Sequence, residues 1–337
     1  MDKDVILSVK DLQIGFRVEK KTLVPVNGVS LDVKKGITLG LVGESGCGKS
    51  VTAHSIMQLL TKNGSILSGS VTYRTKAGEE VQLQNMTKYG KEMTKFRGSE
   101  ISMIFQDPMA SLNPVYTIGD QIIEGLMRHE KIRKREALQR AEKMLDILGI
   151  PNAADRLKDY PHQFSGGMKQ RVMIAIAMIC NPNLLIADEP TTALDVTIQA
   201  QIIELMKEVQ KQFGTSIIMI THNMGIVADM VDDLAVMYMG RIVEFGTGDQ
   251  VFDHPMHPYT QALLKSVPVL GLQSGSRLQS ISGSTPDIND MPSGCAFAPR
   301  CKYADERCLK QPSEVQMPDG HRVSCWHFIN GDCNGNI

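Results

Sequence analysis

Gly43-Glu44-Ser45-Gly46-Cys47-Gly48-Lys49-Ser50 is the stretch whose reading decides the fold. It fits G-x-x-x-x-G-K-[ST], follows the apolar residues 37–42 and opens into Val51-Thr52-Ala53-His54-Ser55-Ile56-Met57, the strand, loop and helix setting in which the pattern cradles phosphate. Glycine lets the backbone turn tightly enough for successive N–H groups to converge on phosphate oxygens, and the helix N-terminus adds partial positive charge. Lys49 is expected to reach the β- and γ-phosphates and the Ser50 hydroxyl to take a place on Mg²⁺. A ligand-free glycine turn is the plain alternative, and it explains neither the flanks nor the fixed Lys49 and Ser50. Cys47 lies inside the cradle, whose positive potential is expected to favour its thiolate.

At 337 residues the chain is longer than one ordinary core needs, so a large domain with an appendage is expected. A hydrophobic fraction of 42% with 22% charged residues suits a globular protein. The net charge of −1 gives no electrostatic reason to expect nucleic acid as a partner. The longest apolar run, residues 172–180, is about half of what a bilayer span requires and is stopped by Asn181-Pro182-Asn183. The start, Met1-Asp2-Lys3-Asp4-Val5, is charged and then strand-like, so the chain is expected to stay in the cytoplasm.

In chain order, residues 5–16 and 22–33 alternate apolar and polar side chains and read as antiparallel strands. Phe16 is the aromatic nearest the place where an adenine ring could stack, with core packing as the alternative. Residues 69–73 and 81–83 read as short strands, and 101–105 as a buried one ended by Gln106-Asp107-Pro108. From 117 to 150 the pattern is helical, with Leu138, Ala141, Leu145 and Leu148 on one face and Pro151 ending it. The basic run 128–135, diluted by acids, reads as a solvated helix face.

Tyr160-Pro161-His162-Gln163-Phe164-Ser165-Gly166-Gly167-Met168-Lys169-Gln170 leads into an apolar helix at 172–179. Ser165, Gly166 and Gly167 at a helix start make a second candidate anion site, although a flexible turn explains the triplet equally well. Residues 183–187 read as a buried strand tipped by Asp188 and Glu189, and burial does not explain two adjacent acids. Asp188 suits a carboxylate holding Mg²⁺ through its waters, and Glu189 a base that polarises an attacking water. A further strand, 216–220, delivers His222 to the same kind of position.

These residues, with Gln106 and Ala193-Leu194-Asp195, occur in the order and spacing of an ABC-type ATPase: Walker A, Q-loop, signature, Walker B, D-loop and H-loop. The resemblance covers about residues 5–246. Within that class the chain resembles the ATP-binding subunits of oligopeptide/dipeptide importers, a family that includes nickel importers, through Phe105-Gln106-Asp107-Pro108-Met109-Ala110-Ser111-Leu112-Asn113-Pro114, residues 160–168 and His254-Pro255-Met256-His257-Pro258-Tyr259-Thr260. The implied fold is an α/β P-loop NTPase with an antiparallel β subdomain, a helical subdomain at about 107–172 and a cysteine-rich C-terminal extension, divided as an ATPase domain 1–250 and an extension 251–337.

The resemblance also implies a mechanism. Two such subunits sandwich two ATP molecules, so Ser165, Gly166 and Gly167 meet the γ-phosphate held by the partner's Walker A residues. Phe16 stacks the adenine. Gly43, Ser45, Gly46, Cys47, Gly48, Lys49, Ser50 and Val51 line the phosphates, Gln106 reaches Mg²⁺ and senses the γ-phosphate, His222 stabilises the transferring group and Asp195 couples the two sites. Met168, Phe164 and Val51 depart from the usual residues, and backbone N–H groups still serve at those places. Implied partners are a second, paralogous ATPase subunit, two transmembrane permease subunits and a solute-binding protein, with the chain peripheral on the cytoplasmic face of the membrane. Nickel or other small-solute import is the nearest alternative. An ABC ATPase acting on DNA or ribosomes is another, disfavoured because no sustained heptads separate Lys49 from Ser165 and the chain carries one ATPase domain.

Of seven cysteines, Cys295, Cys301, Cys308, Cys325 and Cys333 crowd the end of the chain. In a reducing compartment that argues for metal before disulfides. The first four are separated by five, six and sixteen residues, without C-x-x-C pairs, and spacing does not choose the metal. The importer resemblance implies a [4Fe-4S] cluster on Cys295, Cys301, Cys308 and Cys325, approached across a proline-, serine- and glycine-rich linker at 267–292.

Overall fold

A computed structural model describes residues 1–107, 111–192, 194–266 and 281–329. Pro108, Met109, Ala110, Ala193, most of the expected linker and Cys333 lie outside them. The strands are β1 (Val5–Val18), β2 (Lys21–Lys34), β3 (Thr38–Val42), β4 (Gly64–Arg74), β5 (Glu80–Gln82), β6 (Ile101–Ile104), β7 (Leu184–Asp188), β8 (Ser216–Thr221), β9 (Asp233–Tyr238), β10 (Arg241–Thr247), β11 (Val315–Gln316) and β12 (Arg322–Val323). The chain divides into two compact units, one of residues 1–7, 33–37 and 72–220, the other of 8–32, 38–71 and 221–337.

In the first unit β6, β7 and β8 run parallel, with Ile104 opposite Ala187 and Asp188 opposite Ile220. Every residue of these strands is buried, as expected of parallel strands covered on both faces. The helix Gly166–Met178 packs on β6 and on the helices Ile118–His129 and Lys134–Ile147. It begins six residues earlier than its apolar run, because Ser165 caps it by accepting from the Met168 N–H at 3.4 Å. The helical pattern of 117–150 is two helices. The basic run spans their junction at 130–133, where Arg140 reaches back to Glu130 at 2.7 Å, so it is interrupted by a break and is not one continuous face. Ala141, Leu145 and Leu148 are buried as their spacing requires.

In the second unit β3 pairs parallel with β9, Leu39 opposite Asp233, and β9, β10, β12 and β11 continue antiparallel. β1 lies between β2 and β4. Only Glu19 and Lys20 separate β1 from β2, and Glu19 takes a φ of +54°. A two-residue link permits only an antiparallel pair. Strand structure continues beyond residue 246, where the ATPase resemblance ends. β12 pairs with β10, and Ala296 and Phe297 join a core containing Val42, Tyr238 and Tyr259. The cysteine-bearing residues therefore pack on that unit's strands and do not stand apart as the separate C-terminal extension expected beyond the linker. Among the described residues no helix is long and apolar enough to cross a membrane.

Candidate functional site

The phosphate loop follows the buried strand β3 and ends at the helix Lys49–Ile56. Gly43, Gly46 and Gly48 take φ of +152°, +81° and +104°, which side chains rarely adopt. A Cβ at Gly43 would also collide with the Met237 carbonyl oxygen, and one at Gly48 would lie 2.6 Å from that of Pro25. Ser45 and Gly46 face solvent, Ser50 and Val51 are half-buried, and Lys49 is 6% exposed. The Lys49 Nζ donates to the carbonyls of Gly43 at 2.8 Å and Glu44 at 3.0 Å, so the ammonium is stored across the loop's own backbone. Phe16 is half-buried against Gly64, whose Cβ, if present, would meet its ring at 2.6 Å.

Cys47 corrects the sequence reading. It is 2% exposed, and burial pushes its thiol pKa up despite the neighbouring Lys49, so the thiol and not the thiolate is favoured. Alkylation of Cys47 in the folded chain is expected to be slow with or without Mg-ATP. Rapid labelling that ATP prevents would reinstate the activated cysteine.

In the other unit the catalytic candidates sit at the C-terminal ends of parallel strands, where open α/β sheets place their ligands. Asp188 closes β7 and is 3% exposed. Glu189 takes a φ of +47°, a strained backbone held because its N–H donates to the Ile220 carbonyl at 2.9 Å. Its Oε2 accepts from Gln106 Nε2 and from Thr192 Oγ1, both at 2.9 Å. The register of β6 on β7 brings Gln106 to Glu189, since each lies two residues beyond the paired Ile104 and Ala187. Asp195 is exposed at the start of the helix Val196–Phe213, and Gly166 and Gly167 form the first turn of their helix. His222 follows β8 and is exposed, and it belongs to the unit of the phosphate loop.

Cys295, Cys301, Cys308 and Cys325 line one small cavity with His257, Trp326 and His327. All four are free thiols. Burial raises the pKa of Cys295 and Cys301 and pushes Cys325 up to about 12, with the neighbouring sulfurs adding to it. Against this, the nearby backbone N–H groups of Phe297 and Ala298 lower the pKa of Cys295, that of Tyr303 lowers Cys301 and that of His327 lowers Cys325. Among the described residues no three His, Cys, Asp or Glu side chains are placed to hold a single metal ion.

Residues that sequence reasoning left without a role brace the phosphate loop. Glu244, 1% exposed, accepts from the N–H groups of Met256 at 2.7 Å and His257 at 2.9 Å and pairs with His321 at 2.9 Å. His257 Nδ1 accepts from the Tyr259 N–H at 3.0 Å, and burial lowers its pKa to about 4, which keeps the ring neutral. The Tyr259 hydroxyl then accepts from the Glu44 N–H at 2.8 Å. The segment His254–Tyr259 stood out in the sequence as a motif; that it supports the loop from 215 residues away had no local signal.

Residues 26–192 match the family model described as ABC transporter, and 243–308 the one described as oligopeptide/dipeptide transporter, C-terminal region. A dimeric ATP-binding cassette in a post-hydrolysis state, bound to ADP and Pi, shares the fold with a TM-score of 0.63 at 23% identity, over 72% of this chain and 98% of that one. The dipeptide transport ATP-binding protein of Bacillus subtilis is 49% identical over 95% of this chain and 94% of its own length. The oligopeptide transport ATP-binding protein of Escherichia coli is 46% identical over 96% and 93%. The chain belongs to this family of ABC transporter ATP-binding proteins.

Proposed function

We propose that this chain hydrolyses ATP to drive peptide import through partner membrane subunits. The observation that carries the reading is identity near one half along almost the whole length of dipeptide and oligopeptide transport proteins, through the C-terminal region as well as the ATPase motifs. Two ATPase subunits, this one and a paralogue, would close on two nucleotides. The chain would be peripheral on the cytoplasmic face of the membrane, with two permease subunits and a solute-binding protein completing the assembly. The ATPase domain would occupy 1–250 and the extension 251–337.

Ser50, Asp188 and Gln106 are the residues proposed to hold Mg²⁺, which when bound would neutralise developing phosphate charge. Lys49 leaves its backbone carbonyls for the γ-phosphate, a short exchange of partners. Glu189 takes the proton of the attacking water through its carboxylate, which Gln106 and Thr192 orient by donating to Oε2. Ser165, Gly166 and Gly167 present N–H groups to the partner's nucleotide, Phe16 stacks the adenine, His222 stabilises the transferring group and Asp195 couples the two sites.

The test is to isolate the tagged chain from its native membrane with its partners and measure ATP hydrolysis with added peptides or nickel. Peptide-stimulated turnover with permease subunits bound supports the reading. Stimulation by nickel alone, or recovery with DNA or ribosomes, overturns it.

For the four cysteines the proposed occupant is a [4Fe-4S] cluster. Four free thiols around one cavity suit thiolate ligands of such a cluster. Anaerobically purified protein is expected to be brown, with iron and sulfide in comparable amounts. Serine at any one of Cys295, Cys301, Cys308 or Cys325 should remove the colour, whereas Cys333→Ser should keep it. Stoichiometric zinc without sulfide would replace the cluster by zinc.

A further inference from the structure

We propose that Arg300 and Tyr259 are positioning residues for the phosphate loop, tying its Glu44 to the turn between Cys295 and Cys301, so that nucleotide binding and the state of these thiols are thermodynamically linked. This rests on reading Gly43–Ser50 as the ATP phosphate loop.

Glu44 is held through each of its polar groups. Its N–H donates to the Tyr259 hydroxyl at 2.8 Å, and its carbonyl accepts from Lys49 Nζ at 3.0 Å. Its carboxylate takes a bidentate pair from Arg300, Nη1 to Oε2 at 2.6 Å and Nη2 to Oε1 at 3.0 Å. The Arg300 side chain is 4% exposed and that of Glu44 27%, so the pair is largely withdrawn from solvent. The rest of the guanidinium is spent as well, Nε on the Ser282 carbonyl at 3.0 Å and Nη1 also on the Tyr238 hydroxyl at 3.4 Å. A planar fork with every nitrogen engaged fixes direction as well as distance. Lys49 shares Glu44 as a partner, so displacement of Glu44 changes the resting contact of the ammonium that must reach the phosphate.

The other end of the brace is the thiol cavity. Arg300 closes a single tight turn whose hydrogen bonds run from Ala298 N–H to the Cys295 carbonyl, Arg300 N–H to that of Phe297, and Cys301 N–H to that of Ala298, at 3.0, 2.9 and 3.2 Å. Phe297 in that turn packs on Tyr259 with ring centroids 5.4 Å apart and on Tyr238 at 5.3 Å. Metal loading, stripping or oxidation that moves Cys295 or Cys301 must move this turn, and both arms of the brace with it. Linkage is reciprocal, so nucleotide must shift any binding equilibrium at the thiols by the factor by which that equilibrium shifts nucleotide binding, and it must change the exposure of the thiols as well.

The experiment measures Mg-ATP binding by the full chain as purified, its thermal midpoint without nucleotide, and the rate at which a maleimide labels the four cysteines with and without Mg-ATP. Arg300→Gln and Glu44→Gln are each expected to weaken binding by about tenfold, as loss of a charge-assisted bond does, and the double variant no further. Tyr259→Phe, which keeps the ring packing, should weaken binding in the same direction. The wild-type labelling rate should change several-fold with Mg-ATP, and Arg300→Gln should lose that change. A lowered midpoint with unchanged affinity would make Arg300 merely structural and overturn the positioning role, as would losses that add in the double variant. Labelling indifferent to Mg-ATP in the wild type would overturn the link to the thiols. Absence of Mg-ATP binding in the wild type would instead overturn the phosphate-loop reading itself.

Discussion

Glu189→Gln is expected to bind ATP as the parent does and to lose turnover by about 10²–10⁴-fold, the contribution of a positioned general base. The substitution is close to isosteric. A glutamine oxygen at Oε2 still accepts from Gln106 and Thr192, which now bond there at 2.9 Å, and the strained backbone at φ +47° is left as it is. What disappears is the carboxylate's affinity for a proton. ATP that binds without being consumed should hold two subunits together, so the variant should migrate as an ATP-dependent dimer. Phosphate release at the parental rate in the assembled transporter would remove Glu189 from the role of base.

Lys49→Ala should act at the earlier step, weakening Mg-ATP binding by about 100-fold, since charged hydrogen bonds contribute roughly 1.5–3 kcal/mol each. The two carbonyls that Lys49 now holds, those of Gly43 and Glu44, would lose their ammonium donor, and the loop would lose its fixed positive charge. Calorimetric titration separates this outcome from that of Glu189→Gln, which lowers rate and not affinity. An unchanged dissociation constant would mean that Lys49 does not meet phosphate.

Much of the scaffold was legible because its signals are local. Fully apolar runs became the buried strands β3, β6, β7 and β8, and the glycines of the phosphate loop could be read from spacing alone. Residues whose meaning depends on a distant partner were not legible. Arg300 looks like an ordinary base beside a cysteine until its partner 256 residues away is known, and Glu244 resembles any strand residue until His321 and the backbone of His257 converge on it. The Cys47 thiol was misjudged for a related reason: sequence shows Lys49 two residues along but not the burial that outweighs it. The crowding of cysteines was visible, whereas the turns that bring four of them to one cavity are not encoded in their spacing.

The pairing of β3 with β9 has a consequence for how the chain is made. Thr38 donates to Asp232 across 194 residues of sequence, and Leu39 meets Asp233. At about 5–20 residues per second, a ribosome takes roughly 10–40 s to deliver β9 after β3 has emerged. Throughout that interval an apolar strand and the glycine loop behind it are in the open without their parallel neighbour. During that interval the unpaired apolar strand is open to wrong partners, so a holding chaperone that covers residues 37–60 during elongation is expected to raise the yield of native chain.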